Sequence, residues 1–320
     1  MDLGVDLLTS GPHATEDTIV RLAAEAEALG YAAVWTHERQ LCPTGDVAQP
    51  PGPPRPLPDY YRTTYDPVDT LAFVAALTSG VRLGTSVLTA PLHSPVLLAR
   101  RLATLDRLSR GRLVAGLGQG WMRAEYDAEN VPFGERGDRL QDFVGALRAA
   151  WAPDPVSYEG RFYRMPAGHF GPKPHQDGGP PLLVGAAAPA AIDRAARIAD
   201  GFNPTSMSFE RLTAAIGRFR AAAARAGRDP ARLSIVVRAA TPLTLSSLGG
   251  RRPFLGGSPV QVAEDLRRLD EWRVDHVLFT NVRMPPLDEQ LRLLDRIKVA
   301  ADRAGAGRAR WEKPAEPVRP

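Results

Sequence analysis

Residues 81–120 read VRLGTSVLTAPLHSPVLLARRLATLDRLSRGRLVAGLGQG, and this stretch contains the unit from which the fold is built. Val81 to Leu88 is rich enough in β-branched and aliphatic residues for a strand. Ser94-Pro95 then supplies an N-cap followed by proline at the first helical position, where no N–H is needed. Leu98, Leu102, Leu105 and Leu108 recur at helical spacing and face inward, until Ser109-Arg110-Gly111 stops the helix. Arg112 to Leu117 is a strand again. Two strands joined by one helix make a parallel crossover.

The same alternation runs outward in both directions. Upstream lie a strand from Leu3 to Leu8, a helix carrying Ile19, Leu22, Ala23, Ala26 and Leu29 on one face, and a strand from Ala32 to Thr36. Residues 37–65 follow as a long loop containing Pro43, Pro50, Pro51, Pro53, Pro54, Pro56 and Pro58. So many imino acids exclude regular structure, and the length suits a lid. Asp66-Pro67 repeats the cap-and-proline start and opens the next helix.

Downstream come a helix from Glu135 to Trp151 and an insertion from Val156 to Met165 with a hairpin turn at Glu159-Gly160. Strands then read at Leu182–Val184, Gly201–Asn203, Leu233–Ala240 and Val274–Thr280, with helices at Pro189–Ala199, Phe209–Ala226, after Ser258-Pro259, and at Leu287–Arg303. Eight strands and eight principal helices predict a (β/α)8 TIM barrel, a single domain over residues 1–303 with insertions after strands two, four and seven. Residues 304–320, without apolar period, are expected to form a loosely structured tail.

Composition excludes several classes. The 320 residues are 44% hydrophobic and 24% charged, as in soluble globular proteins, and none of the apolar runs approaches the ~20 residues of a membrane span. The acidic start after Met1 does not read as a secretory leader, so a cytoplasmic protein is expected. Net charge is +4, but basic residues alternate with acids along the helices, so no nucleic-acid groove is expected. Cys42 stands alone, and His13, His169, His175 and His276 have no ligand spacing, so neither a disulfide nor a metal is expected.

In such a barrel the chemistry lies at the C-terminal ends of the strands. Four segments converge there, Thr36-His37-Glu38-Arg39, Thr85 to Thr89 with His93, Gly116 to Trp121, and Gly185 to Ala188. Gly116, Gly118 and Gly120 either let backbone approach a flat or anionic group or simply make a tight turn. They follow the fourth strand, which excludes the dinucleotide-binding fingerprint. Gly185-Ala186-Ala187-Ala188 opens a helix whose free amides suit a phosphate, or else is plain helix–strand packing. His37 and His93 are proton-donor candidates, with solvated loop histidines as the alternative. Tyr60, Tyr61 and Tyr65 either stack over a substrate or anchor their own loop.

Five ordered motifs carry a family resemblance. They are Val81–Leu88, Leu102–Arg112, Gly116–Trp121, Val131–Gly137 and Ala195–Phe202. Together they resemble the luciferase-like monooxygenase class, in particular its actinobacterial branch that uses coenzyme F420, a deazaflavin. The resemblance implies a non-prolyl cis peptide at Ser86-Val87 behind the cofactor ring, Thr89 near the ring's polar edge, and Gln119, Gly120 and Trp121 lining the cofactor beside Gly118. It implies that Glu38 bonds the cofactor. It also implies a homodimer through the second and third helices, which carry Leu71, Phe73, Val74, Leu98, Leu102 and Leu105.

The chain departs from the class in two places. Relatives often pair the acid with a histidine, where this chain has Arg39, which cannot serve as an ordinary general acid. The sugar-phosphate dehydrogenases of the class carry glutamate where Trp121 stands. The implied function is F420-dependent hydride transfer to or from a small-molecule substrate. An FMN-dependent monooxygenase fed by a flavin reductase is the alternative, and a non-catalytic flavin-binding protein is a third. Arg62, Arg123, Arg251, Arg252 and Arg283, on loops at the mouth, are expected to attract the acidic tail of F420.

Overall fold

Backbone sterics and apolar alternation along the chain close eight parallel strands into a barrel. The computed structural model describes residues 1–48 and 52–306. The barrel strands are β1 (Asp2–Asp6), β2 (Ala33–Thr36), β3 (Arg82–Thr85), β5 (Leu113–Gly118), β8 (Leu182–Gly185), β9 (Gly201–Phe202), β10 (Ser234–Thr241) and β11 (His276–Asn281). They pair in the order β3-β2-β1-β11-β10-β9-β8-β5, and β3 closes the ring on β5. A two-residue strand, β4 (Leu88–Thr89), pairs with the end of β5. The insertion is an antiparallel hairpin of β6 (Val156–Glu159) and β7 (Arg164–Gly168).

The surrounding helices are α1 (Glu16–Ala28), α2 (Pro67–Leu77), α3 (Pro95–Leu108), α5 (Arg136–Trp151), α6 (Pro189–Ile198), α7 (Phe209–Arg225), α8 (Pro259–Asp270) and α9 (Leu287–Arg303). Their starts follow the caps in the sequence. Asp66 accepts from the amides of Val68 and Asp69, and Ser258 forms a reciprocal capping box with Gln261. Inside the ring, Ala33, Trp35, Val114, Leu183, Val236 and Leu278 fill the bore, so the barrel is a packed core and a site of this fold belongs at its mouth. Among the described residues no helix is long and apolar enough to cross a membrane.

Four details differ from the sequence reading. The strand expected at Val81–Leu88 is interrupted at Ser86-Val87, giving β3 and β4. Leu108, expected to face inward, is 66% exposed because it lies on the outward face of the helix with Leu97. A short helix, α4 (Arg123–Ala128), follows the glycine-rich segment, and Asp59–Arg62 forms one 3-10 turn within the long loop. Both are too short and polar to show an apolar period. Pro50, Pro51 and residues 307–320 of the expected tail lie outside the described residues.

Candidate active site

The segment Leu83–Ala90 is buried at every position except Val87, whose side chain reaches the mouth. The Ser86-Val87 peptide is cis. Two side chains from the far side of the barrel hold it. Ser86 Oγ donates to Asn203 Oδ1 at 2.7 Å, and Arg238 Nη1 donates to the Ser86 carbonyl at 2.7 Å. Asn203 is fixed in turn through its Nδ2, which donates to the Val236 carbonyl at 2.7 Å.

The glycines of β5 serve this bulge. A Cβ on Gly116 would collide with the Thr85 carbonyl oxygen, and one on Gly118 would lie 2.6 Å from Val87 Cγ2. What approaches them is therefore the neighbouring strand, a reading that neither a cofactor contact nor a tight turn anticipated. Gly120, at φ +63°, is the turn residue.

Beside the bulge, Glu38 is only 5% exposed and both its oxygens are engaged. Oε1 meets His93 Nε2 at 2.7 Å, and Oε2 accepts from the Thr89 amide at 2.6 Å. Burial disfavours the charged imidazole, but the bond to Glu38 and its charge outweigh burial and hold His93 above its ordinary value. His93 is thus a partnered base rather than a solvated loop residue. Glu38 also does more than await a cofactor, since it ties the end of β2 to the β4 segment.

His37 is likewise buried rather than solvated. Its Nδ1 faces Asp6 Oδ2 at 3.2 Å and its Nε2 faces Ser10 Oγ at 3.0 Å. Burial raises Asp6, yet facing His37 and Arg238 it is held below the usual carboxylate range. Arg238 Nη2 is 3.4 Å from Asp6, and Thr280 Oγ1 donates to the same oxygen at 2.9 Å. A continuous polar network therefore runs from Ser10 through His37, Asp6 and Arg238 to the Ser86 carbonyl.

Arg39 pairs with Glu125 of α4 at 3.0 Å. Its guanidinium lies 4.8 Å from the Tyr61 ring centroid and 5.3 Å from that of Trp121. Tyr60 and Tyr61 pack on each other at 4.4 Å, whereas Tyr65 bonds Glu16 and only anchors its loop.

The expected arginine cluster is less than it promised. Arg252 is committed to Asp265 in a two-pronged pair, and Arg62 pairs with Asp59 in the same turn. Arg123 stacks on Phe133 at 4.8 Å. Arg251 and Arg283 are exposed.

A flat ring with a phosphate-bearing arm fits what remains. Val87 presents an apolar surface between Gly118 and Gly185, and Gln119 is oriented by Arg194 at 3.5 Å. Ala186, Ala187 and Ala188 leave backbone open to approach, and α6 starts at Pro189 after Ala188, an N-cap without a side-chain hydrogen bond, so the amides of Ala190 and Ala191 suit an anion.

Sequence reading missed Asp6, Ser10, Glu125, Asn203, Arg238 and Thr280. The signal was present for Arg238, a lone charge inside the apolar strand Ser234–Thr241, and for Asp6 at the end of the first strand. Attention to strands two to five alone passed over both.

Comparison with known proteins shows the family. A family model described as luciferase-like monooxygenase matches residues 1–247. An F420-dependent glucose-6-phosphate dehydrogenase from Nocardia farcinica is 34% identical over 169 residues, 50% of this chain and 49% of that protein. An FMNH2-dependent dimethylsulfone monooxygenase from Pseudomonas putida is 34% identical over 155 residues, 48% of this chain and 42% of the other. The solved structure of a monooxygenase from Streptomyces bottropensis superposes with a TM-score of 0.78 at 25% identity, covering 96% of this chain and 100% of that one.

Proposed function

Because this chain belongs to the luciferase-like monooxygenase family, we propose that it is an oxidoreductase with a flavin-type cofactor, specifically coenzyme F420, acting on a small organic molecule. When bound, F420 supplies a carbon centre that gives or takes hydride. Val87 backs the ring, Thr89, Gln119, Gly120 and Trp121 line it, and the α6 amides beside Gly185, Ala186, Ala187 and Ala188 take the phosphate. Glu38 orders this edge through Thr89.

The observation that carries the hydride-transfer reading is the His93–Glu38 pair. Interconverting an alcohol and a carbonyl moves a proton at the substrate oxygen, and an imidazole held by a carboxylate at the mouth can give or receive it. It fills the task that Arg39 cannot perform. His37, tied between Asp6 and Ser10, serves as positioning support. Residues 1–303 act as one domain, and two copies associate through α2 and α3.

A second reading is an FMN-dependent monooxygenase with a separate flavin reductase, favoured by the FMNH2-dependent relative from Pseudomonas putida. Titration with F420 and with FMN at low and high salt separates the two. F420 is expected to bind more tightly at low salt, with an advantage that shrinks as the Debye length falls below about 10 Å. Equal or tighter FMN binding, with oxygen consumed in turnover, selects the monooxygenase. Cofactor binding without turnover on any alcohol or carbonyl screened selects a binding protein.

A further inference from the structure

Arg39 is built as more than half of an ion pair. Its side chain is 9% exposed, and Glu125, itself 3% exposed, takes only Nη1. The other Glu125 oxygen accepts from the Gln40 amide at 2.9 Å, so the carboxylate has no oxygen directed at the remaining edge of the guanidinium. Arg39 Nε, shut away from solvent, has no hydrogen-bond partner among the described residues. An orphaned buried donor calls for an acceptor that another molecule brings.

The surroundings define that molecule. Tyr61 comes from the long loop and Trp121 from the end of β5, and both rings lie against the Arg39 guanidinium. Trp121 is 44% exposed, so an aromatic face remains open next to the orphan donor. Arg238, 21% exposed at the same mouth, disfavours a cationic ligand. Arene faces and a stacked guanidinium favour a planar conjugated partner over a puckered aliphatic one.

We propose that Arg39, Tyr61 and Trp121 form the substrate subsite, and that it takes a planar aromatic molecule bearing a carboxylate or carbonyl oxygen that accepts the Arg39 Nε–H. The inference rests on the reading of this mouth as the active site, and it names the substrate class there. The replacement of the family's histidine by arginine then exchanges a proton donor for a binding group, with the proton left to His93.

Calorimetric titration of the full-length protein without cofactor, using 2-naphthoate and cyclohexanecarboxylate as probes, tests this. Naphthoate is expected to bind at least about tenfold more tightly. Arg39→Lys keeps a cation for Glu125 but lacks the Nε edge, and is expected to weaken both probes several-fold, because both bring the carboxylate that Nε–H would meet. Tyr61→Leu, on a surface loop and outside the ion pair, is expected to weaken naphthoate several-fold and leave cyclohexanecarboxylate unchanged, which keeps the test decisive even where Arg39→Lys does not fold.

Equal binding of the two probes to the native protein overturns the proposal, as does undiminished naphthoate binding in Tyr61→Leu or in a folded Arg39→Lys. Separate titration with F420 and FMN distinguishes a failure of the cofactor reading. Loss of cofactor affinity in Arg39→Lys with naphthoate binding intact assigns Nε to the cofactor edge and also overturns the subsite.

Discussion

At the residue scale, the site works by fixing charged groups against one another, and two of them give sharp expectations. His93 is held above its ordinary value of 6.5 by Glu38. A raised folded-state value means that the pair's stabilisation is fully present below pH 6.5 and is lost as pH rises through the folded value. If the protonated imidazole donates to substrate, kcat/KM should fall on the same alkaline limb, and His93→Asn should abolish that limb while lowering kcat by about 100-fold or more. A pH–rate profile unchanged in His93→Asn removes His93 from the chemistry. Arg238 is the second case. Arg238→Met leaves the Ser86 carbonyl without that donor and Asp6 without its guanidinium, so a loss of about 1–3 kcal/mol is expected in denaturant titration. Cofactor affinity should fall further in this variant than in a surface variant of equal stability, because Val87 follows the carbonyl that Arg238 holds. Parallel loss of both would reduce Arg238 to a structural residue.

At the scale of elements, the sequence was most readable where caps and apolar spacing act locally. Ser94-Pro95, Asp66-Pro67 and Ser258-Pro259 each start a helix at the expected residue, and α9 covers Leu287–Arg303 as read. The cis peptide at Ser86-Val87 was reached through the family resemblance, while the interruption it makes in the expected strand was not read, since neither residue has a local preference that marks it. The packing of Gly116 and Gly118 against that segment is a contact between neighbouring strands, and single-strand periodicity carries no trace of it. This supplies a discriminating pair of substitutions. Gly116→Ala places a methyl against the Thr85 carbonyl, which is backbone and cannot rotate away. It is expected to cost about 3 kcal/mol or more and to weaken cofactor binding. Gly134→Ala, with nothing within 4 Å of the added carbon, should stay within about 0.5 kcal/mol of the native chain. Thermal unfolding of the two variants, side by side, checks the contrast. Similar melting points would mean that β3 and β5 can separate to accommodate the methyl.

At the scale of the whole molecule, barrel closure was legible from the count of strand–helix units, because parallel strands with helical crossovers leave few arrangements that bury every apolar face. Which apolar face remains outside was not, since spacing alone does not distinguish the side of a helix that meets the barrel from the side that meets a neighbour. Leu71, Val74, Leu98, Leu102 and Leu105, all expected at a dimer contact, are each at most 1% exposed and belong to the barrel core. Of the expected set only Phe73, 51% exposed, faces outward, joined by Leu77 at 47%, Leu97 at 62% and Leu108 at 66%. Phe73 and Leu77 are one turn apart on α2. Leu97 and Leu108, eleven residues apart on α3, return to nearly the same helix face at 3.6 residues per turn. Adjacent helices thus expose four large apolar side chains, more than scattered surface residues account for, and a second copy would cover them. Light scattering at micromolar concentration should give the mass of two chains. Phe73→Asp combined with Leu97→Asp should shift the species to one chain, because each replacement removes about 1.5–3 kcal/mol of apolar burial from a contact that occurs twice in a symmetric pair. Far-UV circular dichroism should be unchanged in that variant, whereas Leu98→Asp, one residue away but 1% exposed, should unfold the barrel. A native chain that scatters as a single copy at this concentration would leave the α2–α3 face without a partner of its own kind.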